Sequence, residues 1–500
     1  MMRWTMTTTL AVLLGALRAV YALGKGAAVS QPPAVLWYAP FLSGGGYCSE
    51  AHSYVAAMES AIHDMQLAAE KEATEEKVDK TDGYGHFASS SSTDGDENEQ
   101  EYKKLRPFSL YVTQHGDSYN AVFIRDLPNE TRELLQEHWI EERDFHWRLQ
   151  HQQVALAICH SEPGAWHPAR YKTSDCPPPQ ALYKVGRTMF ETDRVPSGWP
   201  DRMNAMDEIW VPTKFQEKVF VDGGVRPESV QVVPEAVDIH FFDPAKVEAP
   251  YDLAAAITER TVTQDTTVFL SVFKWEERKA WRVLLKAYFQ AFKQDDDVVL
   301  AILTNAYHVA SESAKDFRDI MDEFAQAEVG KSLQDLPYVH VLPPHLPQEQ
   351  LPALYKSASA FVLPSRGEGW GRPHVEAMAM ELPIISTFWS GTTEYMTEEN
   401  SYPLRIDGLI EIQEGAFRGH KWADPSVEHL IELLQRVKTH PEEARAKGKQ
   451  ARRDMVTKYS PEVIGKVLLG HIERILAVVA KREKLAAAEQ DDGTPEHEEL

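Results

Sequence analysis

From Ala34 onward the chain alternates short apolar runs with helical patterns, and it does so twice, which restricts it to a small set of α/β folds. The first series opens with AVLWYAPF, passes through SGGGYCSEA into a helical pattern, and carries strand-like segments at 108–116, 120–127, 153–160 and 181–190. A strand, a glycine loop and a helix in that order open a Rossmann-type unit. QVVPEAV at 231–237 closes the series, and Pro234, Asp238 and Asp243 followed by Pro244 mark a turn-rich exit, so a hinge is expected over 238–262. The second series restarts with the strand TTVFLSVF at 266–273 and a helix over 280–293. Strands follow at 298–303, 338–342, 360–364 and 383–386, with helices near 312–328, over 350–358 and at HVEAMAM. A chain of 500 residues exceeds one hydrophobic core. The expectation is an α/β protein of two Rossmann-like domains facing across a cleft, at 33–240 and 263–460, followed by a helix over 461–488 and an acidic tail over 489–500.

Residues 71–106 break the pattern, being polar, serine-rich and acidic, and are expected to form a disordered surface insertion in the first domain. The net charge of -24 excludes a general nucleic-acid binder, which would present a basic surface. Cys48, Cys159 and Cys176 lack metal-ligand spacing and cannot all pair, so neither a zinc site nor a disulfide framework is indicated, and they read as packed thiols. At the N-terminus, Arg3, the apolar stretch 10–17 and Val20-Tyr21-Ala22 predict a signal peptide over 1–22. The C-terminal His497-Glu498-Glu499-Leu500 (HEEL) resembles the KDEL-type retrieval signals, which implies residence in the endoplasmic reticulum lumen and a retrieval receptor as partner. The sequon Asn129-Glu130-Thr131 is compatible with a lumenal glycoprotein.

The densest chemical signal is PSRGEGWGRPHVEAMAMELPII at 364–385. A strand ends at Pro364, a loop carries Gly367, Gly369 and Gly371, and Pro373 suits the first turn of a helix. Such a loop presents backbone N–H groups and the positive end of a helix dipole, which together suit a phosphate. Glu368 and Glu376 flank it; carboxylates repel phosphate but accept from sugar hydroxyls, so the pattern reads as a nucleotide-sugar site. A second signal is Lys274 and Lys279 after the strand at 266–273, placed to face a diphosphate. Arg366 is a further candidate cation.

Glu368 and Glu376, set in EGWGRPHVEAMAM, resemble the paired-glutamate motif of the retaining glycosyltransferases of family 4, which have the GT-B architecture. The resemblance extends over about 34–470 apart from the insertion, and takes in GRTMFETDRVPSGWPDRMNAMDEIWVP from Gly186 onward. It implies that Glu368 lies at the reaction centre, that Glu376 holds ribose hydroxyls, and that Lys274 and Lys279 neutralise the departing diphosphate. Gly369, Trp370 and Gly371 would line the donor, and Gly45 and Gly46 would approach the diphosphate from the other domain. His160 or His167 would stand near the acceptor, with His160 taken as the catalytic one. STFWSGTTE at 386–394 resembles a family loop near the donor. Three departures stand out: Lys274 stands where arginine is commoner in the family, and Ala280 and Glu381 each replace a usual glycine. The co-substrate would be a UDP- or GDP-linked sugar, with no other cofactor and no metal, and the acceptor a glycan, glycoprotein or glycolipid. The competing readings are a GT-B nucleotide-sugar epimerase, a glycan phosphorylase, and a catalytically inactive lumenal sugar-binding protein.

Overall fold

The computed structural model of the protein describes residues 31–81, 106–306, 314–343 and 346–491. The expected signal peptide and the HEEL terminus lie outside the described residues, as do residues 82–105 of the expected insertion.

Two six-stranded sheets carry the fold. The first comprises β1 (Ala34–Ala39), β2 (Ser109–Gln114), β3 (Val154–His160), β4 (Tyr183–Arg187), β5 (Glu208–Val211) and β6 (Val230–Val232), in the order β2-β1-β3-β4-β5-β6. β1 pairs in parallel with β2 and β3, and β5 with β6. The second comprises β7 (Thr267–Trp275), β8 (Val298–Ala306), β9 (Val339–Val341), β10 (Ala360–Leu363), β11 (Ile384–Thr387) and β12 (Tyr402–Leu404), in the order β12-β11-β10-β7-β8-β9, again with parallel pairings. A small antiparallel ribbon of β13 (Ile406–Glu411) and β14 (Lys421–Pro425) follows. Every residue of β1, β3 and β10 is buried, as expected for parallel strands covered on both faces. By packing, the chain divides into two compact units, Met1–Gly186 with Lys466–Leu500, and Arg187–Gly465.

Three expectations need correction. The segment 120–127 forms a helix, Ala121–Arg125, rather than a strand: the Asn120 side chain caps it by accepting from the N–H groups of Val122 and Phe123, each at 3.1 Å. The helix Gly46–Thr81 runs on through residues 71–81, where the polar composition suggested disorder; the Glu, Lys and Ala there are good helix formers. Cys159 and Cys176 are joined in a disulfide, leaving Cys48 as the buried free thiol. The loop after β3 folds back so that the N–H of His167 reaches the carbonyl of Cys176 at 2.7 Å, which brings the two cysteines to a Cα separation of 5.7 Å.

Candidate functional site

In the second sheet, β7 lies between β10 and β8, so the loops leaving the ends of β7 and β10 turn to opposite sides. Open α/β sheets bind ligands in the crevice at such a switch point. The two loops are bonded to each other there: the N–H of Arg366 donates to the carbonyl of Arg278 at 2.7 Å, and Arg278 Nη1 donates to the carbonyl of Gly367 at 2.8 Å.

Glu368 is the centre of a charged cluster. Its Oε1 accepts from Lys279 Nζ at 2.6 Å and from Ser365 Oγ at 2.5 Å, and its Oε2 accepts from Arg278 Nη1 at 3.0 Å. The residue is only 5% exposed. Burial pushes its carboxyl pKa up, but the Lys279 ammonium and Arg278 guanidinium outweigh burial and hold it well below the usual range. Arg278 is also paired with Glu191 (Nε to Oε1, 3.1 Å) and Glu276 (Nη2 to Oε1, 2.8 Å). Burial alone would lower its pKa; Glu191, Glu368 and Glu276 raise it instead. Lys279 is shifted downward by burial and by the neighbouring Arg278. Glu368 is therefore held as a carboxylate anion between two cations.

The loop is held by its carbonyls. Those of Arg366, Gly367, Glu368, Gly369 and Trp370 each accept a bond from outside the loop: from Ala423 N, Arg278 Nη1, Gly391 N with Ser390 Oγ, Gln216 Nε2 and Tyr395 Oη, at 2.6–2.9 Å. The N–H and C=O of one peptide point opposite ways, so anchoring successive carbonyls directs the amides of Gly367 to Gly371 away from those anchors. Among the described residues none of these five N–H groups has a protein acceptor, although Gly367 to Gly371 are buried. Buried donors left dry cost about 1–3 kcal/mol each, so this run calls for a polar occupant.

Gly371, at φ 97°, turns the loop into the helix Arg372–Ala379, with Pro373 in its first turn. Behind it, the Ser386 hydroxyl donates to the carbonyl of Leu363, so it accepts from His374 Nε2 at 2.8 Å. Nδ1 of His374 then carries the lone pair; it is buried without a partner among the described residues. Burial lowers the pKa of His374 to about 4, which keeps it neutral. Glu376 accepts from Tyr355 Oη at 3.0 Å and lies 3.8 Å from Arg372 Nε; burial raises its pKa.

The remaining expected residues fall elsewhere. Lys274 lies exposed near the end of β7. Arg366 turns to the β-ribbon, pairing with Asp424 Oδ1 at 3.0 Å. Trp370 is a core residue, edge-on to Tyr395 and Tyr459. In the first unit, Gly45 and Gly46 form the turn into the helix Gly46–Thr81, as expected of a glycine loop after β1. His160 is wholly buried: Trp37 Nε1 donates to its Nδ1 at 3.2 Å, and Nε2 meets Glu50 Oε2 at 2.8 Å. Both ring nitrogens are satisfied inside the core, a structural setting rather than an exposed catalytic one. His167 is exposed beside Asp175 at 3.3 Å. Sequence reasoning missed Arg278, Ser365, His374 and Glu191; the only local signal was the position of Arg278 immediately before Lys279. Among the described residues there is no group of three or more His, Cys, Asp or Glu side chains that could hold a metal ion.

Residues 264–411 match the family model described as glycosyl transferases group 1. Among curated relatives, the D-inositol 3-phosphate glycosyltransferase of Kribbella flavida is 25% identical over 54% of this chain, and that of Geodermatophilus obscurus is 28% identical over 37%. The matched stretch spans 58% and 39% of the lengths of those relatives. Similar solved structures include a glycosyltransferase from Rickettsia africae (TM-score 0.57, 12% identity) and Anabaena HepE in complex with UDP and glucose (TM-score 0.54, 12% identity). These cover 89% and 88% of this chain and 99% and 100% of their own. Sucrose-phosphate synthase from Thermosynechococcus elongatus gives a TM-score of 0.53 at 15% identity, over 90% of this chain and all of its own. Residues 264–411 are thus similar to the glycosyl transferases group 1 family, and the chain has a two-domain α/β fold of the GT-B class.

Proposed function

We propose that the protein is a retaining glycosyltransferase that moves a sugar from a nucleoside-diphosphate donor, UDP- or GDP-linked, to an acceptor hydroxyl. The observation that carries this reading is the run of buried amides from Gly367 to Gly371, ending at a helix N-terminus and flanked by Lys279. Oriented dipoles and a fixed cation are what a departing diphosphate requires. Glu376, whose pKa burial raises, is suited to accept from ribose hydroxyls; Glu368 serves the donor sugar. In the transfer step the acceptor oxygen bonds to the anomeric carbon as its bond to phosphate breaks. The electron pair leaves with the nucleoside diphosphate, and the hydroxyl proton passes to the departing phosphate oxygen. The double pairing of Glu368 with Lys279 and Arg278 supports this route over a covalent glycosyl-carboxylate.

The protein is further proposed to act in the endoplasmic reticulum lumen, entering by a signal peptide over 1–22 and retained through a receptor for HEEL, on a glycan, glycoprotein or glycolipid acceptor. The Cys159–Cys176 disulfide supports an oxidising compartment, and the exposed Asn129 is suited to carry a glycan. Thermal-shift screening against nucleotide sugars, followed by assay of nucleotide release, tests the activity. One donor should stabilise the protein and be hydrolysed slowly in the absence of acceptor. Binding with no nucleotide release would favour a sugar-binding protein, and no binding to any donor would refute the reading.

A further inference from the structure

Lys279, the cation that the proposed donor site offers to a diphosphate, is already bonded to Glu368. An ammonium committed to a buried carboxylate cannot serve a second anion at full strength unless that carboxylate has another partner. Three observations identify the partner. The two oxygens of Glu368 are held separately, Oε2 by Arg278 and Oε1 by Lys279 together with Ser365. Among the described residues the Lys279 ammonium has no hydrogen-bonded acceptor other than Glu368, whereas Arg278 is fixed at all three side-chain nitrogens, by Glu191, Glu276, Glu368 and the carbonyl of Gly367. A planar guanidinium can keep such a fan of partners while a neighbour moves; a lysine stem is the mobile member of the pair.

We infer that Arg278 is a positioning residue that takes sole charge of the Glu368 carboxylate when a nucleoside diphosphate draws Lys279 away, so that donor binding is an exchange of ion pairs. The inference rests on the donor-site reading above. Ser365 stays on Oε1 during the exchange, so Glu368 keeps its place for the donor sugar while Lys279 turns to phosphate. Arg278 has a second effect: Glu191, Glu276 and Glu368 would otherwise face the incoming diphosphate as three uncompensated anions.

The test is calorimetric titration of UDP and of GDP into the full chain, as wild type, Arg278→Met, Glu368→Gln and the double variant, with thermal melts to establish folding. Arg278→Met should weaken nucleotide binding by at least about tenfold, because Lys279 becomes the only cation left to Glu368. Glu368→Gln should bind more tightly than wild type, since it releases Lys279. The double variant should bind more tightly than Arg278→Met, an outcome that a purely architectural role for Arg278 does not predict. Unchanged affinity in Arg278→Met, or a double variant no better than Arg278→Met, overturns the exchange and leaves the donor site standing. If Arg278→Met does not fold, Glu368→Gln alone decides: tighter binding supports the exchange, and equal or weaker binding overturns it. A wild-type protein that binds neither nucleotide refutes the donor site and the exchange with it.

Discussion

Replacing Gly391 by alanine tests whether the amide loop must sit where it does. A Cβ on Gly391 would lie 2.6 Å from the carbonyl oxygen of Glu368 and 2.7 Å from the carbonyl carbon of Gly369, and closer still to the oxygen of Gly369. These are backbone atoms, which cannot rotate aside. The loop would have to withdraw, and in doing so it would lose the bonds that the Gly391 N–H and Ser390 Oγ make to the Glu368 carbonyl, both 2.9 Å. Two hydrogen bonds at about 1 kcal/mol each, with overpacking of about 1–3 kcal/mol, give a loss of roughly 3–5 kcal/mol. In a unit of this size each 1 kcal/mol lowers Tm by roughly 2–4 °C. A displacement of about 1 Å at the site should also cut transfer by about 10²-fold. Thermal melting and steady-state transfer measure the two effects. Gly470→Ala, where an added Cβ meets nothing within 4 Å, is the control and should leave both unchanged or slightly improve stability. A Gly391→Ala protein with wild-type Tm and transfer would refute the packing argument.

Other consequences can be checked in the same preparations. Ala280 and Glu381 hold left-handed backbone at φ 51° and 60°, so Ala280→Gly and Glu381→Gly should each raise stability by about 1 kcal/mol in urea titrations, and a loss in both would show that the strain is not there. Cys159→Ser should cost about 3 kcal/mol, the value for closing a loop of this length, and reducing agent should then have no further effect on the variant. His374 and His115 both have their pKa lowered by burial, to about 4, from an ordinary value near 6.5. The unfolded chain therefore takes up protons that the folded one refuses: stability is full above pH 6.5 and declines as pH falls to 4, by about 3 kcal/mol per histidine. His374→Gln should flatten that slope, and an unaltered slope would remove His374 from the account.

Much of the donor-side architecture could be read from the sequence because it is encoded locally. Glycine, proline and glutamate at fixed spacing after an apolar run specify a strand, a turn and a helix start without reference to any distant residue. The departures at Ala280 and Glu381 were also visible as substitutions for glycine, and the backbone explains why glycine is usual at both. Arg278 escaped because a charged residue before a helix reads as solvated surface; its burial depends on Glu191, Glu276 and Glu368, which the chain brings together from three separate segments. Local composition also misled in the first unit. An odd number of cysteines hid the Cys159–Cys176 pair, an asparagine cap turned the apolar 120–127 segment into a helix, and His160 proved to be sealed in the core by Trp37 and Glu50.

The most direct measurement is a crystal structure of the protein with UDP or GDP bound. The account predicts phosphate oxygens within hydrogen-bonding distance of the amides of Gly367 to Gly371 and of Lys279 Nζ, with Glu368 retained by Arg278 and Ser365. A nucleotide seated elsewhere, with those amides solvated and Lys279 still bonded to Glu368, would contradict it.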